Sequence, residues 1–280
     1  MASSSNGIRT EELRCSVGSR TICFLEAGQP DGKPCLFVHG SPGCRLQALR
    51  FRSGLEQHNL RLIAPDRPGC GCTFPSHEDT AAVSDIEALL DFLGIEAIPV
   101  LAVSGGVATA LAAASALPDR ITSLVLVSGL GLLTTKENIR EATAGQRLLM
   151  SLARRRPAAV RLALLPAVLA VRFVRTPSGS GPEAERLAAL VSEMKATFQQ
   201  GTPGPALDLI RASHAERVDL SSIRQPVVAW HGSDDRQAPL TAMSALIGQL
   251  PRGELHVLAG EDHFLFERHA AEILSGIEKR

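Results

Sequence analysis

The sequence predicts an α/β protein with a mostly parallel, twisted sheet and helices on both faces of that sheet. Short apolar runs rich in valine, isoleucine and leucine alternate with longer stretches of helical periodicity. This is the pattern of parallel strands joined by crossover helices. The alternation stops between positions 134 and 215, where helical stretches follow one another. The second observation predicts an inserted helical cap.

The predicted elements follow the chain in a regular order. At least seven strands are expected, most of them parallel, near positions 21–26, 36–39, 60–64, 97–103, 121–128, 226–231 and 255–258. Helices are expected near positions 80–93, 105–117, 240–250 and 264–278. Pro118 is expected to end the second of these helices. The predicted core domain therefore comprises residues 1–133 and 216–280, and the cap comprises residues 134–215.

The predicted cap contains prolines that are expected to break its helices, and they are Pro157, Pro166, Pro177, Pro182, Pro203 and Pro205. Its apolar stripe at positions 162–171 is able to roof a pocket for an apolar substrate or to pack helices together, and both interpretations remain open. The three consecutive arginines at 154–156 are expected to be solvated, with carboxylate binding as the alternative.

Charge and cysteine content exclude several classes of function. The chain has 29 basic and 29 acidic residues, so no basic excess is present to neutralise nucleic-acid phosphates. A small neutral or apolar substrate is expected instead. The polar segment 1–14 lacks the apolar core of a secretory signal, which favours free thiols and a cytoplasmic location. Arg161 and Arg172 interrupt the apolar stretch 157–174, so no membrane span is expected.

Neither a metal nor a dinucleotide cofactor is predicted. Cys70 and Cys72 are one residue closer together than the usual zinc ligands, and no second cysteine pair or paired histidines follow them. Gly69 and Gly71 lack the third glycine of a dinucleotide fingerprint, since Phe74 occupies its position.

The segment 102–106, Ala-Val-Ser-Gly-Gly, joins a predicted strand to a predicted helix and makes Ser104 a candidate nucleophile. A sharp turn from strand to helix strains its apex residue, and the chain passes only if the residues two before and two after it are small. Ala102 and Gly106 meet this condition. Ser128 also follows a strand-like run, but bulky leucines flank it, so it is interpreted as an ordinary strand end.

A nucleophilic serine needs a base and an orienting acid. His263 follows the last predicted strand, where a loop is able to bring its imidazole to Ser104. Asp235 follows the preceding strand and is preferred to the adjacent Asp234, because Pro239 lies four residues after it at a common spacing. An N-cap role is the alternative for this acid pair. The weaker candidates for the base, which lie inside predicted elements, are His231, His256 and His269.

The segment 39–43, His-Gly-Ser-Pro-Gly, follows an earlier strand and predicts an oxyanion site. Small residues there allow a backbone N–H to approach the reacting carbonyl group. The Ser41 and Gly105 N–H groups are the expected pair of donors.

The order of serine, acid and histidine along the chain resembles that of the α/β-hydrolase superfamily over nearly the whole sequence. The segment 66–71, Asp-Arg-Pro-Gly-Cys-Gly, is similar to a loop of many lidded members. The resemblance implies the α/β-hydrolase fold with an inserted cap. Proline iminopeptidases carry His-Gly-Gly-Pro-Gly in the corresponding segment. Ser41 replaces the second glycine of that motif here, which weakens a peptidase interpretation. Haloalkane dehalogenase and epoxide hydrolase chemistry is not expected, because position 104 lacks their aspartate.

We therefore expect a serine esterase without cofactors that forms an acyl-enzyme on Ser104. Activity is expected to rise through one step near neutrality, because a general-base histidine must be neutral to act. Cleavage of an amide, lactone or carbon–carbon bond, or acyl transfer, is the alternative within the same fold. A ligand-binding protein that has lost turnover is the alternative outside enzymes.

Overall fold

A computed structural model of the chain describes residues 8–18, 20–76, 78, 80–131, 143–214 and 218–278. Eight strands form one sheet with helices on both faces, which confirms the predicted fold class. The strands are β1 (Arg9–Val17), β2 (Arg20–Gly28), β3 (Lys33–Val38), β4 (Leu60–Pro65), β5 (Ile98–Val103), β6 (Ile121–Val127), β7 (Val227–Gly232) and β8 (Gly253–Leu258).

The order of strands across the sheet is β1-β2-β4-β3-β5-β6-β7-β8. β2 runs antiparallel to both of its neighbours, and every other pair is parallel. The sequence did not predict β1. It is an edge strand in which Cys15 alone is fully buried, so it lacks the apolar run that indicates the inner strands.

Helices connect the strands, and four consecutive helices lie in the region of the predicted cap. The expected helix at 264–278 is divided in two at His269, which has non-helical dihedral angles. The described helices are α1 (Arg52–Leu55), α2 (Ala81–Phe92), α3 (Gly106–Ala116), α4 (Ala144–Arg155), α5 (Pro157–Phe173), α6 (Pro182–Thr197), α7 (Pro203–Ala212), α8 (Leu240–Ile247), α9 (Leu265–Arg268) and α10 (Ala270–Glu278).

Most of the cap prolines begin helices or lie between them. Pro157, Pro182 and Pro203 each stand at the start of a helix, where the missing N–H costs no hydrogen bond. Pro166 lies inside α5 and Pro205 lies in the first turn of α7, so the breaks expected at these two positions are wrong. The predicted start of the cap at 134–142 and its last residue, 215, lie outside the described residues.

The sheet separates two apolar clusters, and β5 contributes to both of them. Val100 and Ala102 pack on the side of α2, α3 and α8. Leu101 and Val103 pack on the opposite side, with the stacked rings of Phe51 and Phe266 and with α10. Because both faces are covered, β5 is buried at every position and places its carboxyl end at a rigid edge of the sheet.

Two of the six cysteines are not free. Cys23 on β2 and Cys72 in the loop after β4 form a disulfide, so the expectation of free thiols is wrong for this pair. The two residues lie 49 positions apart in sequence, and only the pairing of β2 with β4 brings them together. The four remaining cysteines are free and buried. The disulfide ties the loop after β4 to the sheet.

Removing this disulfide is expected to lower the free energy of unfolding by about 2–4 kcal/mol, since the cross-link closes a long loop in the unfolded chain. Urea unfolding of the wild type with and without reductant measures the change. Cys72→Ser is the control, because reductant has no bond to break in this variant. A titration of the denatured wild type that finds six free thiols rather than four contradicts the assignment.

Candidate active site

Ser104 stands at the turn between β5 and α3, and its backbone is in the left-handed region with φ +51°. Its N–H donates to the Val127 carbonyl on the neighbouring strand at 2.9 Å. A Cβ on Gly106 would lie 2.5 Å from the carbonyl oxygens of Val38 and His39, so only glycine fits there. Close packing against β3 therefore holds the hydroxyl of Ser104 above the sheet edge.

Three predicted residues meet at this edge. The Nε2 atom of His263 lies 3.1 Å from Oγ of Ser104, and its Nδ1 atom lies 2.8 Å from Oδ2 of Asp235. All three side chains are buried. The second oxygen of Asp235 accepts N–H groups of Gln237 and Ala238, each at 2.8 Å. These bonds fix the carboxylate, which in turn holds the ring with Nε2 towards Ser104.

The weaker candidates lie in other environments. Asp234 is exposed and accepts from Ser233. His231 donates through Nε2 to the Ala238 carbonyl, and burial lowers the pKa of its ring. His256 stacks on Trp230 on the sheet, and His269 contacts Glu261 and Glu272. None of these four side chains contacts Ser104 within the described part of the chain.

The two expected oxyanion donors also lie together. A Cβ on Gly105 would lie 3.2 Å from the backbone nitrogen of Ser41. Neither the Ser41 nor the Gly105 N–H donates to another described residue. The Gly40 N–H, in contrast, donates to the side chain of Gln47. The geometry therefore leaves two adjacent N–H groups beside Ser104 for a developing negative charge.

Arg67 holds the loop after β3, and sequence reasoning gave it no role. Its buried guanidinium donates to the carbonyl oxygens of His39 (2.6 Å) and Gly40 (3.0 Å), to Oγ of Ser41 (2.8 Å) and to Oδ2 of Asp208 (2.6 Å). The Ser41 hydroxyl also donates to Asp208 at 2.7 Å. Since Asp208 belongs to α7, this ion pair connects the cap to residues 39–43, the predicted oxyanion loop. The available signals were the position of Arg67 after a buried strand and its place in the segment 66–71.

Burial and this ion pair determine the protonation states of His39 and Asp208. Burial and the neighbouring Arg67 lower the pKa of His39 to about 3, so this ring is neutral. Its Nε2 atom accepts from the Arg67 N–H at 3.1 Å, and its Nδ1 atom donates to the Gly40 carbonyl. Burial by itself would raise the pKa of Asp208, but the charge of Arg67 and the hydrogen bond from Ser41 hold that pKa below its usual range. Asp208 therefore remains an anion matched to Arg67.

An apolar cavity of about 170 Å³ adjoins the oxyanion loop. It shares Leu130 with the small pocket over Ser104 and Gly105. Core and cap both contribute to its lining, which contains no charged side chain among the described residues and consists of Ser41, Pro42, Leu130, Leu149, Met150, Leu164, Pro205 and Leu209. A larger cavity of about 510 Å³, between α6 and the segment 46–50, contains neither Ser104 nor His263 in its lining.

Ser128 differs from its sequence interpretation. It also has a positive φ, +48°, and its buried hydroxyl has no hydrogen-bond partner among the described residues. Interpretation as an ordinary strand end is therefore wrong. β6 also ends in a sharp turn, but the chain continues into Gly129 and not into a helix, so bulky flanking leucines are tolerated.

One group of side chains in the described part of the chain has the spacing of a metal site. It comprises Cys23, Asp66 and Cys72, with ligand atoms within 4.8 Å of one another. The two sulfurs are bonded to each other, and the carboxylate of Asp66 pairs with Arg45 at 2.6 Å. The two sulfurs and the carboxylate are therefore already engaged by the disulfide and by Arg45.

Comparison with known proteins identifies the family and leaves the substrate open. A proline iminopeptidase of Neisseria gonorrhoeae is 36% identical over 110 residues, which cover 38% of this chain and 35% of that enzyme. The match thus spans about a third of that relative. The 2-hydroxymuconate semialdehyde hydrolase of Pseudomonas putida is 25% identical over 265 residues, covering 89% of this chain and 87% of that enzyme.

The fold is shared with solved structures. A mutant epoxide hydrolase of Vigna radiata superposes with a TM-score of 0.71 at 20% identity, over 96% of this chain and 98% of that one. This likeness concerns the fold. The family model described as the alpha/beta hydrolase fold matches residues 33–270. The chain therefore belongs to the alpha/beta hydrolase fold family.

Proposed function

We propose that the protein is a serine hydrolase that cleaves a carboxylic ester of a small, apolar substrate through an acyl-enzyme. The observation that carries the proposal is the continuous contact from Asp235 through His263 to Ser104, beside two N–H groups with no described acceptor. Relatives that are hydrolases support hydrolysis as the class of reaction.

In the proposed reaction, Oγ of Ser104 attacks the ester carbonyl while Nε2 of His263 takes its proton. The carbonyl oxygen becomes an anion and accepts hydrogen bonds from the N–H groups of Ser41 and Gly105, each worth about 3 kcal/mol. The protonated ring then gives its proton to the departing alcohol. Water, deprotonated by the same ring, releases the acid and restores Ser104. Asp235 holds the ring and stabilises its charged form. No cofactor takes part.

The cavity supports an apolar substrate. A space of about 170 Å³ is close to that of an engineered apolar cavity that binds benzene. A peptide with a free amino terminus and a muconate both carry a charge, and burying that charge in this uncharged lining is unfavourable without a partner. Asp208, the carboxylate that contacts the hydroxyl of Ser41, is already paired with Arg67. The size and the uncharged lining of the cavity therefore favour an ester with a short aliphatic or single aromatic group over either relative's named substrate.

A cytoplasmic location is a further proposal. None of the helices in the described ranges combines the length and apolar character needed to cross a bilayer. The disulfide between Cys23 and Cys72 argues in the other direction, because cytosolic thiols are normally kept reduced. Alkylation of thiols in intact cells, followed by mass spectrometry of this pair, decides between the two.

Ser104→Ala is expected to lower kcat for a p-nitrophenyl ester by at least about 10⁴-fold and to abolish labelling by a fluorophosphonate, because both need the attacking oxygen. Ser128→Ala is the matched control, since Ser128 is a second buried serine with positive φ. It should retain turnover and labelling. Equal turnover in Ser104→Ala and wild type excludes the mechanism, and tight ligand binding without turnover in the wild type favours a binding protein.

The pH profile of kcat/KM is expected to rise with pH through a single step, because His263 accepts a proton only when neutral. Burial keeps the pKa of His39 at about 3 and lowers that of His231, so neither ring adds a step near neutrality. Activity should thus be present above the step and lost as pH falls. Initial rates from about pH 4 to about pH 9 measure the profile. Activity that stays constant down to the acid limit excludes a histidine base.

Leu164→Trp is expected to fill the cavity and to lower kcat/KM for a p-nitrophenyl hexanoate about 10-fold or more relative to the acetate, because the longer acyl chain loses its space. Leu165→Trp is the matched control, since the next side chain on α5 is 45% exposed and lies outside the cavity. An equal change in both variants places the acyl group elsewhere. Activity on a prolyl anilide that exceeds that on every ester favours the amidase alternative.

A further inference from the structure

The outer face of α5 is apolar, although it points away from the protein. Leu162, Leu165, Leu169 and Phe173 recur at helical spacing and are 69%, 45%, 51% and 80% exposed. The opposite face packs into the cap, where Val160 is fully buried. A helix at a protein surface normally turns charged or polar residues towards water. α5 instead presents an apolar row that runs from Leu162 to Phe173 and is about 17 Å long at a rise of ~1.5 Å per residue.

Basic residues outnumber acidic ones around this row, although exposed Glu183 and Glu185 begin the next helix, α6. Residues 143–182 contain no aspartate, glutamate or lysine, although the whole chain has no net charge. Exposed arginines lie at both ends of α5, with Arg155 and Arg156 before its first residue and Arg172 and Arg175 at its other end. The segment contains seven arginines in all, at positions 147, 154, 155, 156, 161, 172 and 175.

We propose that α5 docks the protein on the surface of an anionic phospholipid bilayer, with the α5 outer face (Leu162, Leu165, Leu169 and Phe173) in the lipid and the flanking arginines on the phosphates. A helix with one apolar face and many basic residues lies in the plane of such an interface. Guanidinium groups bind phosphate oxygens through two parallel hydrogen bonds. The bilayer supplies an apolar layer for the α5 outer face and negatively charged phosphates for the flanking arginines.

A second copy of the chain fits this face less well. A symmetric dimer brings the same patch of each subunit together. In such a dimer the exposed arginines that flank α5 would lie close to those of the second copy, with no acidic residue in segment 143–182 to offset them. A nucleic acid supplies negative charge but no apolar layer for the four exposed side chains. The docking is independent of the reaction at Ser104.

Flotation of the full-length protein with lipid vesicles tests the proposal. Binding to vesicles with about one third phosphatidylglycerol should exceed binding to pure phosphatidylcholine at least tenfold, and should fall as salt is raised. The variant R155Q/R156Q/R172Q should bind anionic vesicles at least tenfold more weakly. Its control, R14Q/R224Q/R252Q, removes three other exposed arginines and should bind within about twofold of wild type.

The apolar face has its own variant and control. L162Q/L169Q/F173Q should also bind at least tenfold more weakly, whereas F74Q/F92Q/V257Q replaces exposed apolar residues elsewhere and should bind like the wild type. Thermal unfolding followed by circular dichroism selects variants that remain folded for comparison. Equal binding to neutral and anionic vesicles, or equal losses in test and control variants, overturns the proposal. So does a dimer in sedimentation experiments that L162Q/L169Q/F173Q dissociates, because the face would then join two copies.

Discussion

The buried guanidinium of Arg67 is the contact on which the geometry of the site depends. It fills the space between the ends of β3 and β4 and the cap helix α7, and it binds two carbonyl oxygens, a hydroxyl and a carboxylate. A buried arginine without these partners would be strongly destabilising. With them, the loop that carries the Ser41 N–H has one defined conformation. The same ion pair holds the cap to the core through Asp208, so the roof of the cavity and the oxyanion loop are positioned together.

Charge is confined to the base of the site and is absent from the cavity above it. His39 is neutral, Asp208 is an anion matched to Arg67, and the second carboxylate, Asp235, is engaged by His263 and two backbone N–H groups. No described charged side chain lines the apolar cavity. This separation suits an uncharged carbonyl compound, because an attacking oxygen and its anionic intermediate gain more from fixed donors in a dry site than in water. The cap has the opposite pattern on its outer surface, where arginines surround exposed leucines.

Sequence reasoning succeeded where a strand carries an apolar run and failed where the local pattern gives no such signal. β5 and β6 were recognised from continuous apolar runs. β1 was missed because an edge strand has few buried positions. The positive φ of Ser128 was missed because bulky flanking residues exclude a sharp turn only when a helix follows it. The interior position of Pro166 in α5 was also unexpected, because proline normally breaks a helix. A single proline is accommodated where packing holds the rest of the helix.

The sequence by itself predicted the order of the candidate catalytic residues along the chain: a serine between small residues, an acid after a later strand and a histidine after the last one. Each follows a strand end, and these ends must meet at one edge of a parallel sheet. Local patterns suffice there because they reflect backbone sterics and strand periodicity. Only the tertiary structure decided that Asp235 rather than Asp234 reaches the ring, that Cys23 bonds to Cys72, and that Arg67 joins Asp208. These contacts join residues that are distant in sequence, so they depend on strand order and loop paths, which no short segment encodes.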